Sequence, residues 1–145
     1  MTFLLDTNVV SEWKKSVPDA GVIAWLANAD EDRTFLSVVT LAELRYDIDR
    51  LPDGKRRSVL DHWLTNDLPT RFESRILPVG PAIADAWGII IARRAALGRP
   101  IGAMDAFMAA TAQVHNLTLV TRNVSDFEAS VSSIVNPWAG PPSAR

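Results

Sequence analysis

Residues 2–10 read Thr-Phe-Leu-Leu-Asp-Thr-Asn-Val-Val, and this stretch decides how the rest of the chain is interpreted. The apolar run Phe3–Leu5 is typical of a short strand that is buried on both faces of a parallel sheet. Asp6 follows the strand directly, and Thr7 or Asn8 can cap a helix that begins with the next apolar residues. Ligands of open α/β sheets bind beyond the carboxyl ends of the strands. Asp6 is therefore predicted to be the first ligand of a metal site.

The composition is that of an ordinary globular protein. The chain has 145 residues, of which 48% are hydrophobic and 22% are charged, and this length fits one domain. The absence of cysteine excludes disulfides, thiolate metal sites and a cysteine nucleophile, and it favours a reducing compartment. No signal-peptide pattern and no apolar run of about 20 residues is present. We expect a cytoplasmic protein with a single domain over residues 1–136 and a flexible tail over residues 137–145.

The charge pattern leaves two interpretations open. The net charge of −2 argues against a general binder of polyanions. Several basic residues are nevertheless clustered, and they either form solvated helix faces or contact the phosphates of a nucleic acid. The candidates for backbone contacts are Arg45, Arg93, Arg99 and Arg122.

Strand and helix patterns alternate along the chain. Apolar runs predict further strands near residues 34–37, 75–79, 117–120 and 133–135, with helical spacing between them. Pro78 places the third strand at an edge of the sheet or marks its end. This alternation predicts an α/β fold with three layers, in which helices flank a central, mainly parallel sheet.

Asp105 is the most informative of three further acids near strand ends or helix starts. It is the only acid between Met104 and Leu119, and it borders an apolar helix face that is expected to bury Met104 and Phe107. A carboxylate in such a place is costly unless it is paired or binds a metal. The alternative is an acid that interacts favourably with the helix dipole.

Glu43 and Asp126 have stronger structural alternatives. Glu43 lies about 120° from the centre of its helix's apolar stripe, where glutamates usually face solvent, and only its place after the second strand favours a function. Asp126 follows the fourth strand, and it is equally well explained as a cap for the turn at Phe127.

Taken together, the acids predict a site made only of oxygen ligands. Carboxylates brought close together repel each other and raise each other's pKa, so such a cluster needs a cation. Mg²⁺ and Mn²⁺ prefer carboxylate and water ligands. One or two of these ions catalyse in-line displacement at phosphorus.

Four segments in this order and spacing resemble the motifs of PIN domains. More specifically, the chain resembles VapC-type toxins of type II toxin–antitoxin pairs, especially the FitB-like branch. The resemblance spans residues 3–127. The segments are Leu-Leu-Asp-Thr-Asn-Val at 4–9, Thr-Leu-Ala-Glu-Leu at 40–44, Met-Asp-Ala at 104–106 and Leu-Val-Thr-Arg-Asn-Val-Ser-Asp-Phe at 119–127.

The resemblance implies roles for individual residues. Asp6, Glu43 and Asp105 match the three metal-site acids of the family, and Thr7 matches a small hydroxyl residue that orients water or substrate. Many relatives have an acid where this chain has Asn123. Either Asp126 or the amide oxygen of Asn123 therefore fills the fourth position, and the number of metal ions stays open.

The resemblance also implies an activity and partners. The expected protein is an endoribonuclease toxin dependent on Mg²⁺ or Mn²⁺ that cuts single-stranded or loop RNA and leaves a 5′-phosphate. A cognate antitoxin is expected to present an arginine to the acidic groove, and the toxin is expected to form a homodimer.

Two other functions compete with this one. A phospho-receiver domain has similar strand-end acids, but it requires an acidic pair after the first strand and a late lysine. Here Asp6 stands alone, and no lysine follows Lys55. A PIN-like module without activity, which binds RNA or protein, is the second alternative.

Overall fold

The computed structural model describes residues 1–139, and it contains one five-stranded sheet at the centre of the molecule. The strands are β1 (Phe3–Leu5), β2 (Thr34–Ser37), β3 (Ile76–Leu77), β4 (Thr118–Val120) and β5 (Ile134–Val135). Their order across the sheet is β3-β2-β1-β4-β5, and every neighbouring pair is parallel. The mainly parallel sheet predicted from the sequence is therefore confirmed.

Helices connect the strands and cover the sheet. They are α1 (Thr7–Glu12), α2 (Ala20–Asn28), α3 (Val38–Asp49), α4 (Lys55–His62), α5 (Leu68–Phe72), α6 (Pro81–Ala96), α7 (Ala103–His115) and α8 (Val124–Phe127). None of the helices within residues 1–139 has the length and apolar character needed to cross a membrane.

The core has two halves, one on each face of the sheet. Leu4 belongs to a cluster with residues of α6 and α7, whereas the next residue, Leu5, belongs to a cluster with residues of α1 to α5. Successive side chains of a strand point to opposite faces, so this division follows from the strand itself. Because helices cover both faces, β1 is apolar without alternation, and the predicted three layers are present.

Three predicted boundaries differ from the observed ones. The third strand has only two residues and ends before Pro78, at the edge of the sheet as predicted. The helix predicted for residues 55–68 ends at His62, and a π-helical turn over Trp63–Asp67 joins it to α5. In the predicted tail, Pro137–Ala139 form a 3₁₀ turn, and Trp138 packs against the core; residues 140–145 lie outside the described residues.

The start of α1 and the burial of α7 also correct the sequence analysis. Asp6 itself is the N-cap of α1, and it accepts a hydrogen bond from the backbone N–H of Thr7. The predicted caps, Thr7 and Asn8, lie inside the helix. Met104, which was expected to be buried, is 40% exposed, because α7 turns its first residues away from the core that Met108 fills.

The order of the strands fixes where a ligand can bind. From β1, the strands β2 and β3 follow one another toward one edge of the sheet. The next strand, β4, lies on the other side of β1. In open α/β sheets, ligands bind beyond the carboxyl ends of the strands at such a reversal. Asp6 and Thr121 each follow one of the two strands that flank this reversal.

Candidate active site

An open cleft of about 350 Å³ lies at the carboxyl ends of β1 and β4. We call it the acidic cleft, because three of the four predicted acids meet there. Four of the predicted site residues line it, from the start of α1, the middle of α3 and the first turn of α7. The lining residues are Asp6, Thr7, Asn8, Ser11, Lys15, Glu43, Asp47, Asp105, Arg122, Asn123 and Trp138.

Asp6 is fixed at the base of the cleft by hydrogen bonds to both carboxylate oxygens. Its Oδ1 accepts from the backbone N–H of Thr7 at 2.8 Å. Its Oδ2 accepts from the hydroxyl of Thr121 at 2.8 Å, and Asn8 Nδ2 lies 3.4 Å from the same oxygen. Only 6% of Asp6 is exposed. The residue therefore caps α1 and faces the cleft at the same time.

Glu43 reaches the cleft because α1 packs against α3. The hydroxyl of Thr7 donates to Glu43 Oε1 at 2.6 Å, and the hydroxyl oxygen of Thr40 lies 3.1 Å from that of Thr7. Glu43 occupies a position around the helix where glutamates usually face solvent, yet it is half-buried and lines the cleft. The periodicity of α3 predicts which of its faces packs on the sheet. It does not predict that α1 packs against the side of α3.

Burial and mutual repulsion raise the pKa values of the three acids. The pKa of Asp6 is raised from 3.8 to about 6, mainly by burial. The charges of Asp105 and Glu43 also raise this pKa, whereas the hydrogen bonds from Thr121 and from the backbone of Thr7 lower it. The pKa of Glu43 is also raised, first by burial and then by the charges of Asp105 and Asp47. The carboxylates therefore form one electrostatic unit that a cation would stabilise.

The pKa of Asp105 is raised by burial and by the charge of Asp126, and the nearby guanidinium of Arg94 lowers it in part. Arg94 is itself buried, and it donates to the backbone carbonyl of Asp126 at 2.9 Å. Asp126 thus stands near Asp105, but its side chain is exposed and is not among the cleft residues. Asn123 does line the cleft, so the geometry favours Asn123 over Asp126 for the fourth position.

The donor set suits a hard divalent cation, although the carboxylates are not drawn together. Carboxylate, hydroxyl and amide oxygens line the cleft, and neither His62 nor His115 does; oxygen ligands of this kind suit Mg²⁺ and Mn²⁺. Within residues 1–139, no three Asp, Glu or His side chains are close enough together to hold one ion. Mg²⁺ usually binds through one or two carboxylates and completes its coordination shell with water, so the cleft can hold such an ion without all three carboxylates meeting.

Several residues of the cleft lie outside the set of site residues predicted from the sequence. Thr121, which holds Asp6, follows β4 just as Asp6 follows β1, so the same rule about strand ends would have found it. Asn8 Oδ1 lies 3.5 Å from the backbone nitrogen of Arg122 and joins the two loops. Lys15 and Trp138 come from segments without any motif, and no sequence signal indicates them.

Of the four arginines suggested for RNA contacts, only Arg122 lines the cleft. Its guanidinium lies 5.5 Å from the centre of the Trp138 ring. Arg45 instead forms ion pairs with Asp49 and Asp61, at 3.0 and 2.6 Å.

The parallel sheet and its strand-end acids define a class of α/β protein, and comparison with known proteins identifies the family. The PIN domain family model matches residues 3–129. The chain belongs to the PIN domain family.

Its relatives are similar along nearly their whole length. The chain is 36% identical to the VapC ribonuclease Y4jK of Sinorhizobium fredii, over 93% of this chain and 96% of the relative. It is 38% identical to toxin FitB of Neisseria gonorrhoeae, over 93% and 97%. The solved structure of FitAB bound to an IR36 DNA fragment superimposes with a TM-score of 0.91 at 34% identity, covering 99% of this chain and 100% of that one. These matches confirm the predicted resemblance to VapC-type toxins and their FitB-like branch, and they rule out the phospho-receiver alternative.

Proposed function

We propose that this protein is an endoribonuclease dependent on Mg²⁺ or Mn²⁺ that acts as the toxin of a type II toxin–antitoxin pair. One observation carries the proposal: Asp6, Glu43 and Asp105, from three separate elements, line one cleft at the carboxyl end of the sheet. The names of the relatives, a VapC ribonuclease and a toxin, support the same function.

In this proposal Asp6 and Asp105 hold the metal ion, Glu43 either completes the ligand set or acts on the attacking water, and the fourth position belongs to Asn123 or Asp126. A divalent ion held there would lower the pKa of water and offset the charge that develops on the phosphate. The hydrogen bonds from Thr121 and from the backbone of Thr7 keep Asp6 in place before the ion arrives. Fixed ligands reduce the ordering that binding would otherwise require.

Glu43 and Thr7 are proposed to act on the attacking water. The Thr7 hydroxyl holds Glu43 Oε1 at 2.6 Å, which leaves Oε2 directed to other partners. Because the Thr7 hydroxyl anchors one oxygen of this carboxylate, the direction of the second oxygen of Glu43 is fixed. This oxygen is therefore suited to accept a proton from the water that attacks the phosphate.

We further propose a cognate antitoxin, a homodimeric toxin and a cytoplasmic location. The structural neighbour FitAB is a complex bound to DNA, which supports a partner of this kind. An arginine of the antitoxin, placed in the acidic cleft, would neutralise the same carboxylates that a metal ion stabilises. This contact would block access of RNA to the cleft.

The test is cleavage of total cellular RNA by the purified protein, with mapped ends. We expect cuts in single-stranded regions with Mg²⁺ or Mn²⁺, new 5′-phosphate ends, and no cleavage with EDTA. If folded protein gives no metal-dependent cleavage, the proposed activity is wrong, and a PIN-like module that only binds RNA or protein takes its place.

A further inference from the structure

Lys15 is a cation at the edge of a cleft whose other charged residues are mostly acids. It follows α1, and it lines both the acidic cleft and a neighbouring groove between α1, α3 and α4. Its side chain is 52% exposed. An ammonium group has three donors, so Lys15 can bind an additional acceptor that enters the cleft.

A buried carboxylate holds Lys15 in this place. Glu12 is only 2% exposed, and its Oε1 accepts from the backbone N–H of Asp19 at 2.8 Å. Its Oε2 forms an ion pair with the Lys15 ammonium, and no hydrogen-bond donor within residues 1–139 is aligned with that oxygen. Burying a carboxylate is costly unless it is paired. Glu12, held by the backbone of Asp19 just before α2, therefore keeps Lys15 at the edge of the cleft.

A polyanion needs such cations to approach this site. The acids that are proposed to hold the metal repel the phosphates on either side of the one being cut. Lys15 and Arg122 are the two cationic residues among those that line the cleft. Contacts between such residues and phosphates position a nucleic acid without reading its sequence.

We propose that Lys15, held by Glu12, binds a phosphate of the RNA next to the bond that is cut. This inference rests on the proposed ribonuclease function. The exposed ammonium favours a phosphate over an acidic segment of a protein partner, because it lines the same cleft as the carboxylates that are proposed to act on the RNA backbone.

The test measures how the affinity for a single-stranded RNA depends on salt. All proteins carry Glu43→Gln and contain Mg²⁺, so that binding of the RNA is measured before the slowed cleavage proceeds. The variant is Glu12→Gln with Lys15→Gln, which keeps the net charge and leaves no buried charge unpaired. The matched control is Asp30→Asn with Arg33→Gln, a second pair spaced three residues apart, which precedes β2 at the opposite end of the sheet.

Each phosphate contact contributes about 0.7 to the slope of log affinity against log salt for single strands. We expect the Glu12/Lys15 variant to lose about 0.7 of this slope, which corresponds to about fourfold weaker binding at 0.15 M salt relative to 1 M. The control variant should keep the original slope. Lys15→Arg alone should also keep it, because the charge remains.

Three results would overturn the inference. The first is a folded Glu12/Lys15 variant with an unchanged slope, and the second is an equal loss in the control variant. The third is weaker binding of the antitoxin with unchanged binding of RNA, which would make Lys15 a contact for the protein partner. A failure of the ribonuclease proposal can be distinguished from these results. It would be seen as absence of RNA cleavage by the protein that retains Glu43.

Discussion

Asp6→Asn is expected to stabilise the metal-free protein at neutral pH, although it removes a proposed metal ligand. The pKa of Asp6 lies at about 6 in the folded protein, against an ordinary value of 3.8. The folded state therefore binds a proton more tightly than the unfolded state. The contribution of Asp6 to stability is complete below pH 3.8, falls as the pH rises, and is lost above pH 6.

The size of the effect follows from the two pKa values. At about 1.4 kcal/mol per pH unit, the difference corresponds to about 3 kcal/mol in the free energy of unfolding. About 2 kcal/mol of this is lost between pH 4.5 and 7.5. Asparagine carries no charge and keeps an oxygen that can accept from the backbone of Thr7. The gain at pH 7.5 is reduced by the weaker contacts with Thr121 and Asn8, which both face the second carboxylate oxygen of Asp6.

Urea unfolding in EDTA at several pH values measures this prediction. The difference in unfolding free energy between Asp6→Asn and the unchanged protein should grow by about 2 kcal/mol from pH 4.5 to 7.5 in favour of the variant. Asp85→Asn, an exposed site on α6, should change stability by less than about 0.5 kcal/mol at either pH. Adding Mg²⁺ should stabilise the unchanged protein more than Asp6→Asn. A difference that is constant with pH would refute the argument.

Three further predictions test neighbouring features of the site. Thr121→Val should destabilise the protein by about 1.5–3 kcal/mol at pH 7 and by less at pH 4.5, because it removes a buried hydrogen bond to a charged carboxylate; urea unfolding at both pH values would contradict this if the two losses were equal. Glu43→Gln should slow RNA cleavage by about 10²- to 10⁴-fold with little change in the Kd for RNA, and Thr7→Val should cause a smaller loss of the same kind; single-turnover kinetics would argue against the role of Glu43 if its rate stayed near normal. Sedimentation of the toxin without its antitoxin should give the mass of a dimer, and a monomer at all concentrations would count against the homodimer.

The overall architecture was predictable because it depends on local patterns. The apolar run at Phe3–Leu5 and the alternation of strand and helix signals predicted a parallel sheet covered on both faces, and the structure has this arrangement. Boundaries were less predictable where neighbouring segments decide them. A π-helical turn at Trp63–Asp67 interrupts the helix predicted for residues 55–68, just before Pro69, which has no N–H to continue the helical hydrogen bonds.

The site was predictable where strand ends define it and less so where helices meet. Asp6 was found from its own strand, because the position after a strand is visible in the sequence. Glu43 was found mainly through resemblance, since its place in the cleft depends on how α1 lies against α3. Asp126 follows a strand as well, yet α8 leaves its side chain exposed while Asn123 lines the cleft. Lys15 required the structure, because the burial of Glu12 has no signature in the sequence.

Carboxylates from different parts of the chain are proposed to act together as one metal-dependent site for RNA cleavage. The most direct test compares the Mg²⁺-dependent cleavage rates of Asp105→Asn and Asp85→Asn, two identical changes of which only the first lies in the acidic cleft. Asp105→Asn is predicted to lower the rate by at least about a hundredfold while the protein stays folded, and Asp85→Asn is predicted to leave it unchanged. Full cleavage by folded Asp105→Asn would contradict the account.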